Sequence, residues 1–416
     1  MAMLRNLTIP LLILTCTASL IWWAFPEGLS TARTLGIVLG WAGCSLLLAS
    51  LLLMLRETWL AQWLGGLERM YQWHHWTGTT AYVLLLAHPL MLAADAWPNS
   101  RLLAWQTLSP FNQGWPIWSG WLSLLLLMSG LAATFILRIP YQIWRWLHFG
   151  LGIGVLLGLV HLTLLGISEP VLPILALAIS FLGWRLIRDD FGVAARPYVV
   201  GSVKSVAEDI VEISLKPLAE PTVITPGQFI LVAFFTGQKF CGRGEFHPFT
   251  VSSVSADHEI YIAVKALGDC TRHIQSIEPG TLARMHGAFG TFLADRPPKP
   301  QLWVAGGIGI IPFLALLRTG PVDQPTMLLY LYRTEVDAAF LHELRTLANL
   351  DQQLSLKALA TGDEAPDLKS LLDTQGLAKY ECYLCGPPAM VAALTKYLHN
   401  RDVTPQQIQF EKFEFR

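Results

Sequence analysis

The stretch MYQWHHWTGTTAYVLLLAHP, residues 70–89, carries His74 and His88, 14 positions apart inside an apolar run. A second stretch, WRWLHFGLGIGVLLGLVHL at residues 144–162, carries His148 and His161, 13 apart. Each run is long enough to cross a bilayer as a helix. An ionisable side chain inside a membrane segment is costly and points to function by default. Four imidazoles on two helices suit two haem irons, each held from both sides. At about 100° and 1.5 Å per residue, the 14-residue step returns to within roughly 40° of one face and rises about 21 Å. That spacing stacks two metal centres across a membrane. The 13-residue step misses a common face by roughly 140°, so it requires a bulge, a kink or a ring reaching from the helix flank. His75 to His88 is also 13, and spacing alone does not choose between His74 and His75.

Around these runs the chain of 416 residues divides in composition. Hydrophobic residues make up 53% and mean hydropathy is +0.45, which indicates a membrane protein. Of its 16 Trp, 15 precede residue 190, and the first Lys is Lys204. A membrane half is therefore expected before a soluble half. The net charge of −1 argues against a nucleic-acid partner. The six Cys are Cys16, Cys44, Cys241, Cys270, Cys382 and Cys385. Cys382 and Cys385 have CxxC spacing but no second pair and no following His, so free thiols in a reducing compartment are expected.

Six apolar spans are expected, near 7–25, 34–55, 71–94, 115–137, 141–167 and 170–187. The first is read as a retained helix. Trp22, Trp23, Trp59, Trp97, Trp115 and Trp144 fall near span ends, as interfacial aromatics do. With the N-terminus inside, Arg5, Arg56, Arg69, Arg138, Arg145, Arg185 and Arg188 lie on the inner side, and only Arg33 and Arg101 lie outside. That orientation puts His74 and His148 near the inner face and the soluble half in the cytoplasm.

Residues 189–197 read as a linker. Short alternating segments follow (YVVGSVKSV, IVEISLKPL, QFILVAFF, HPFTVSSV and IYIAVKAL), the pattern of a small antiparallel barrel. From residue 300 strands alternate with helices, which implies a parallel sheet and a nucleotide-binding layout. In the barrel, His247, Pro248, Phe249, Thr250 and Ser253 suit a flavin. Phe249 is expected against the isoalloxazine, Thr250 near N5 and His247 at the pyrophosphate. Lys265, Gly268, Asp269 and Thr271 form a glycine-led helix start of the kind that meets phosphate. In the sheet, Gly306, Gly307, Gly309 and Pro312 form a glycine turn between strand and helix. Cys385, Gly386 and Pro387 end a later strand and are expected to bring backbone to the nicotinamide. Arg333, with Thr334 beside it, ends the second strand, where a 2′-phosphate lies if the donor is NADPH rather than NADH.

Taken together, the paired histidines, HPFTVSS, GGIGIIPF and CGPPAM in this order make the chain resemble the ferric reductase / NADPH oxidase superfamily, in particular its bacterial NADPH oxidase homologues. The resemblance covers nearly the whole chain. It implies a membrane all-α six-helix haem bundle over residues 1–190 fused to a ferredoxin-reductase-like module. That module comprises an antiparallel β-barrel FAD lobe over 194–298 and an α/β parallel-sheet NAD(P)H lobe over 299–416. It also implies His74, not His75, as the ligand partner of His148, with His88 paired to His161. Its cofactors would be FAD, two b haems and NADPH or NADH. Its acceptor would be O2 or a ferric chelate outside a bacterial inner membrane, with no obligate protein partner. A cytochrome b subunit feeding a separate periplasmic enzyme is a third reading, disfavoured by the fused flavin half. The resemblance further implies that a C-terminal aromatic, Phe413 or Phe415, shields the flavin. It departs at Leu92, where eukaryotic superoxide-producing members carry a His one turn past the outer ligand.

Overall fold

The computed structural model describes residues 2–24, 28–135, 139, 141–167, 169, 171–294, 296–362, 371–372 and 376–412. Arg138, Phe413 and Phe415 lie outside the described residues. The chain forms two compact units, residues 1–193 and 194–416.

The first unit is helical: α1 (Ala2–Ala24), α2 (Thr31–Leu53), α3 (Thr58–Leu64), α4 (Leu67–Ala96), α5 (Arg101–Leu108), α6 (Trp115–Phe135), α7 (Tyr141–Leu164) and α8 (Val171–Arg185). Among the described residues, five helices are long and apolar enough to cross a membrane: α2, α4, α6, α7 and α8 with its continuation. In α1 the apolar stretch is the shorter Ile9–Trp23. The short helices α3 and α5 fall between the expected spans. Large apolar side chains such as Val83, Leu90, Leu125 and Ile179 point outward, as lipid-facing residues do. The expected linker begins later than its sequence implied: a π-helical turn, Leu186–Asp190, continues α8, and the next strand already starts at Arg196.

Polar contacts gather at two places in this unit. Ser30 caps α2 and donates to Asp95 near the end of α4, and Arg33 pairs with Asp95 at 4.0 Å. Elsewhere Arg188 Nε meets buried Glu57 at 2.5 Å, and Trp184 Nε1 donates to the same carboxylate. A buried carboxylate is tolerated when charged and neutral donors share it.

The second unit opens with a closed six-stranded barrel. Its strands are β1 (Arg196–Ala207), β2 (Ile210–Pro217), β3 (Phe229–Phe234), β4 (His247–Val254), β5 (Ile260–Lys265) and β6 (Leu282–Phe289), in the order β1-β2-β5-β4-β3-β6. All neighbours are antiparallel, and β6 closes on β1. Five strands match the alternating segments. The sixth was not expected, because LARMHGAF carries Ala and Gly, weak strand formers, and Gly287 sits at φ +114. Alternate residues, including Ile213, Leu215, Ile230, Val232 and Ile262, fill the interior.

A five-stranded parallel sheet follows: β7 (Gln301–Gly306), β8 (Thr326–Tyr332), β9 (Leu354–Ala360), β10 (Glu381–Gly386) and β11 (Ile408–Lys412), ordered β11-β10-β7-β8-β9. α9 (Asp269–Ile274) lies between β5 and β6. α10 (Ile311–Leu317), α11 (Leu341–Leu350) and α12 (Pro388–His399) accompany the sheet. Both sheet faces are covered over the inner strands β7, β8 and β10, which are almost wholly buried, while the edge strand β9 keeps exposed positions. On β7, Trp303 and Ala305 face one core while Leu302 and Val304 face the other. The chain leaves β7 for β8 and β9 on one side and returns to β10 and β11 on the other. The switch therefore falls between β7 and β10, where open α/β sheets bind ligands at their carboxyl ends.

The two glycine turns abut at that switch. A Cβ on Gly309 would strike the backbone carbonyl of Cys385, which cannot move aside, whereas Gly307 has open space around it at φ +55. Gly309→Ala is expected to destabilise this lobe by about 1–3 kcal/mol. Gly307→Asn is expected to be nearly neutral, because Asn tolerates left-handed backbone. Limited proteolysis across a temperature series checks both; equal sensitivity of the two variants would contradict the packing.

Candidate functional site

Three of the membrane-unit histidines are oriented by carbonyl groups. His74 Nδ1 lies 2.9 Å from the carbonyl oxygen of Ser50 and 2.8 Å from its hydroxyl. Ser50 belongs to the last turn of α2, where helix carbonyls lack intrahelical donors. His88 Nδ1 lies 2.7 Å from the Gly36 carbonyl, and His161 Nδ1 lies 2.6 Å from that of Pro116. A carbonyl only accepts, so in these three rings Nδ1 carries a proton and Nε2 is the nitrogen left available to a metal. That is the state in which imidazole binds a metal through Nε2.

The rings also meet in the expected pairs. His74 and His148 have centroids 5.9 Å apart at 67°. His75 sits exposed on another side of α4 and is not part of that pair. His88 and His161 line one cavity of about 510 Å³, together with Gly40, Trp41, Leu92, Gly120 and Arg33. Helix α7 runs unbroken over its 24 residues, so His148 and His161 reach from its flanks. His148 is steered by a ring: Trp144 stacks on it at 4.8 Å and 21°. Trp144 thus supports the inner pair, and Trp22, Trp23, Trp59, Trp97 and Trp115 are exposed. His148 Nδ1 is buried with no hydrogen-bond partner among the described residues.

Two glycines make room for the outer rings. A Cβ on Gly40 would lie 3.0 Å from His88, and one on Gly120 would lie 3.0 Å from His161. The sequence reading missed Ser50, Gly36, Gly40, Pro116 and Gly120. A trace of them existed in Gly36-x-x-x-Gly40 and Gly43, the small-residue spacing of close membrane helices.

In the barrel, β4 carries the expected flavin residues. His247, Phe249 and Val251 share one face by strand alternation. Phe249 and Val251 belong to the barrel core, and the Phe249 ring lies 6.5 Å from Phe234. The expected stacking of Phe249 on an isoalloxazine is therefore corrected: its ring is committed inward. Pro248 is exposed, and Thr250 and Ser252 are buried on the other face. His247 Nε2 is buried, 3.7 Å from Glu245, without a hydrogen bond. Burial lowers the His247 imidazole below its usual value, against the pull of Glu245. Cys270 joins these two side chains in a cluster whose ligand atoms lie within 4.8 Å of one another.

At the start of α9 the Thr271 hydroxyl accepts from the backbone N–H of Leu267 and of Gly268, both at 2.9 Å. Asp269 pairs with Arg243 at 2.6 Å, and the hydrogen bond from that guanidinium holds its carboxyl below the usual range. Lys265 pairs with Asp209 at 3.7 Å.

At the carboxyl edge of the sheet, the Gly306–Gly309 turn, the Cys385–Pro387 turn and the Arg333–Thr334 turn lie at the ends of adjacent strands. Ala305 aligns with Cys385, and Gly306 with Leu331. Pro312 opens α10. Thr334 donates its hydroxyl to Asp337 at 2.6 Å, while Arg333 is exposed. The Cys385 side chain is fully buried, so only its backbone faces the turn. Cys382 lies on the opposite face of β10, in the other core.

Two family models match the chain: one for a ferric reductase like transmembrane component over residues 39–159, and one for an FAD-binding domain over residues 198–288. The ferredoxin–NAD(P)(+) reductase component of the naphthalene 1,2-dioxygenase/salicylate 5-hydroxylase systems of a Ralstonia species is 29% identical over 243 residues. The match covers 54% of this chain and 72% of that protein. A probable dihydroorotate dehydrogenase B (NAD(+)) electron transfer subunit from Archaeoglobus fulgidus is 30% identical over 184 residues, covering 42% of this chain and 68% of its own length. Flavohemoglobin from Malassezia yamatoensis, solved with FAD and haem, is alike in fold at TM-score 0.50 and 17% identity, covering 93% of this chain and 100% of that one.

The buried thiols yield a direct check. Burial, then Glu381, pushes the Cys382 thiol up to about 12, and burial raises Cys385 well above its usual value. Only thiolate reacts. At pH 8 the folded protein is expected to take up maleimide at exposed Cys241 and not at Cys382 or Cys385, read by mass spectrometry of peptides. Native labelling of Cys385 would contradict the buried placement.

Proposed function

Because the chain belongs to the ferric reductase and NADPH oxidase-like superfamily, we propose that it moves electrons from cytoplasmic NADPH across a bacterial inner membrane to O2, releasing superoxide. It is a multi-pass membrane oxidoreductase with an FAD- and NAD(P)H-binding module. On this reading the domains are 1–190 for haem, 194–298 for FAD and 299–416 for the nucleotide. The excess of Arg at the inner ends of the spans supports the cytoplasmic placement of the module.

The observation that carries the haem reading is the set of three Nδ1–carbonyl bonds, with the four rings gathered into two pairs. His74 and His148 would hold the inner haem, and His88 and His161 the outer one. The apolar cavity, relieved of Cβ atoms at Gly40 and Gly120, fits a flat macrocycle. For the flavin, the Nε2 of His247, held 3.7 Å from Glu245 without a hydrogen bond, is the expected partner of the pyrophosphate. A flavin held there would supply the change from hydride to single-electron chemistry, and haems held by the histidine pairs would supply one-electron carriers within the apolar layer. The chain's own work is to hold, orient and exclude water. The turns at the β7–β10 switch seat the nucleotide, and Arg333 is the expected partner of a 2′-phosphate. One NADPH and two O2 yield NADP+, two superoxide ions and one proton.

Ferric chelate reduction is the second reading. It is favoured by Leu92, an apolar residue beside His88, and by Arg33 at the same cavity, a cation that suits an anionic chelate.

Purified protein is expected to reduce cytochrome c with NADPH, and superoxide dismutase should abolish most of that reduction. Reduction insensitive to the dismutase, together with rapid ferric citrate reduction, would favour the second reading. Haem assay should give two haems per chain, and His88→Ala should give one, with NADPH-driven flavin reduction intact. One haem in the wild type would overturn the two-haem assignment.

A further inference from the structure

Arg318, the residue that ends α10, makes contacts on both lobes of the second unit. Its Nε and Nη2 grip the two carboxylate oxygens of Glu343 on α11, at 2.7 and 2.8 Å. Its Nη1 reaches Glu212 on β2 at 2.7 Å, and approaches the Ser252 carbonyl at 3.4 Å and the Ser253 hydroxyl at 3.5 Å on β4. Ser252 in turn donates to the same Glu212 oxygen at 2.7 Å. The guanidinium also lies over the Phe340 ring, 5.0 Å from its centroid. Burial opposes its charge, but the hydrogen bonds it donates to Glu343 and Glu212 raise it above even the usual arginine value. The group is a fixed cation shared by two carboxylates.

Other joins between the lobes constrain less. Ile210 and Ala263 of the barrel pack with Trp303 and Phe313 in one apolar cluster, which holds area but little angle. A backbone bond runs from Glu208 N–H to the Val336 carbonyl at 3.1 Å. The Arg318 fork adds direction at a specific place. On one side it touches the strand that carries Thr250 and Ser253. On the other it ends the helix that begins at the Gly306–Gly309 turn. Arg318 lies nine positions beyond Gly309, roughly 14 Å along a helix. A rotation of roughly 4° about the fork would shift the turn by about 1 Å over that lever. A misplacement of about 1 Å is enough to cost up to a hundredfold in rate.

We propose that Arg318, through Glu212 and Glu343, is a positioning residue that sets the angle between the nucleotide-binding lobe and the flavin-binding strand, and so the rate of hydride transfer. The inference rests on the NADPH-to-flavin reading above. The Arg318 donors are spent on Glu343, Glu212 and β4, so its loss should change the limiting rate and not nucleotide affinity.

The test uses full-length, FAD-loaded protein mixed rapidly with NADPH without oxygen, following flavin bleaching over a range of NADPH concentrations. Arg318→Lys keeps the charge but loses the fork. It is expected to bind NADPH within about twofold of wild type while its limiting rate falls roughly tenfold or more. The triple variant Arg318→Met, Glu212→Gln, Glu343→Gln removes the uncompensated carboxylates. It should recover thermal stability without recovering the limiting rate. If either folded, FAD-loaded variant reduces flavin at the wild-type rate, the inference is wrong. It is equally wrong if the slow rate is reversed along with stability in the triple variant. If wild-type flavin is not reduced by NADPH or NADH, the underlying reading fails and the inference fails with it.

Discussion

An imidazole has two nitrogens, and a metal needs one of them free of its proton and aimed. In His74, His88 and His161 a helix carbonyl holds the other nitrogen. Much of the membrane unit follows from supplying those carbonyls. Helix α2 must pass close to α4 so that Gly36 and Ser50 face His88 and His74, and a glycine at position 40 permits that approach. Helix α6 must begin near His161, with Pro116 and Gly120 in its first turns. The apolar surface facing lipid then serves mainly to seat these contacts at depth. There a misaligned polar group would have no water to fall back on.

The soluble unit meets a different demand. A hydride donor and acceptor must be brought together from two lobes with separate cores. The barrel fills its own interior, and the sheet buries both of its faces. Alignment is left to what joins them: an apolar cluster, one backbone hydrogen bond and a half-buried Arg fork. The cluster tolerates sliding; the fork does not. Each lobe can thus be packed for stability while a few polar atoms set their mutual angle.

Much of this was legible in the residues themselves. Histidine spacing within apolar runs located the two pairs, and strand alternation located five barrel strands. Glycine turns located the sheet edge, because each of these signals is local and periodic. What escaped detection was non-local or carried by backbone. A carbonyl at Ser50, Gly36 or Pro116 looks like any other carbonyl in sequence. Phe249 has the right residue type for a flavin face, but strand parity turned it into the core once the barrel closed. β6 was missed because Ala and Gly have little strand preference. Arg318 was missed because its partners, Glu212 and Glu343, are far away along the chain. Trp144 was read only by its place near a span end; its stack on His148 escaped notice because that partner is set by the helix face.

The central claim is that electrons taken from a nucleotide on one side of a membrane emerge on the other. Sealed vesicles containing the protein and a trapped, impermeant electron acceptor test it directly. NADPH is added outside, to the chains whose nucleotide module faces outward. The account predicts reduction of the trapped acceptor, lost in His88→Ala vesicles. Reduction confined to the side that holds NADPH, or trapped-acceptor reduction unchanged in His88→Ala vesicles, would contradict it.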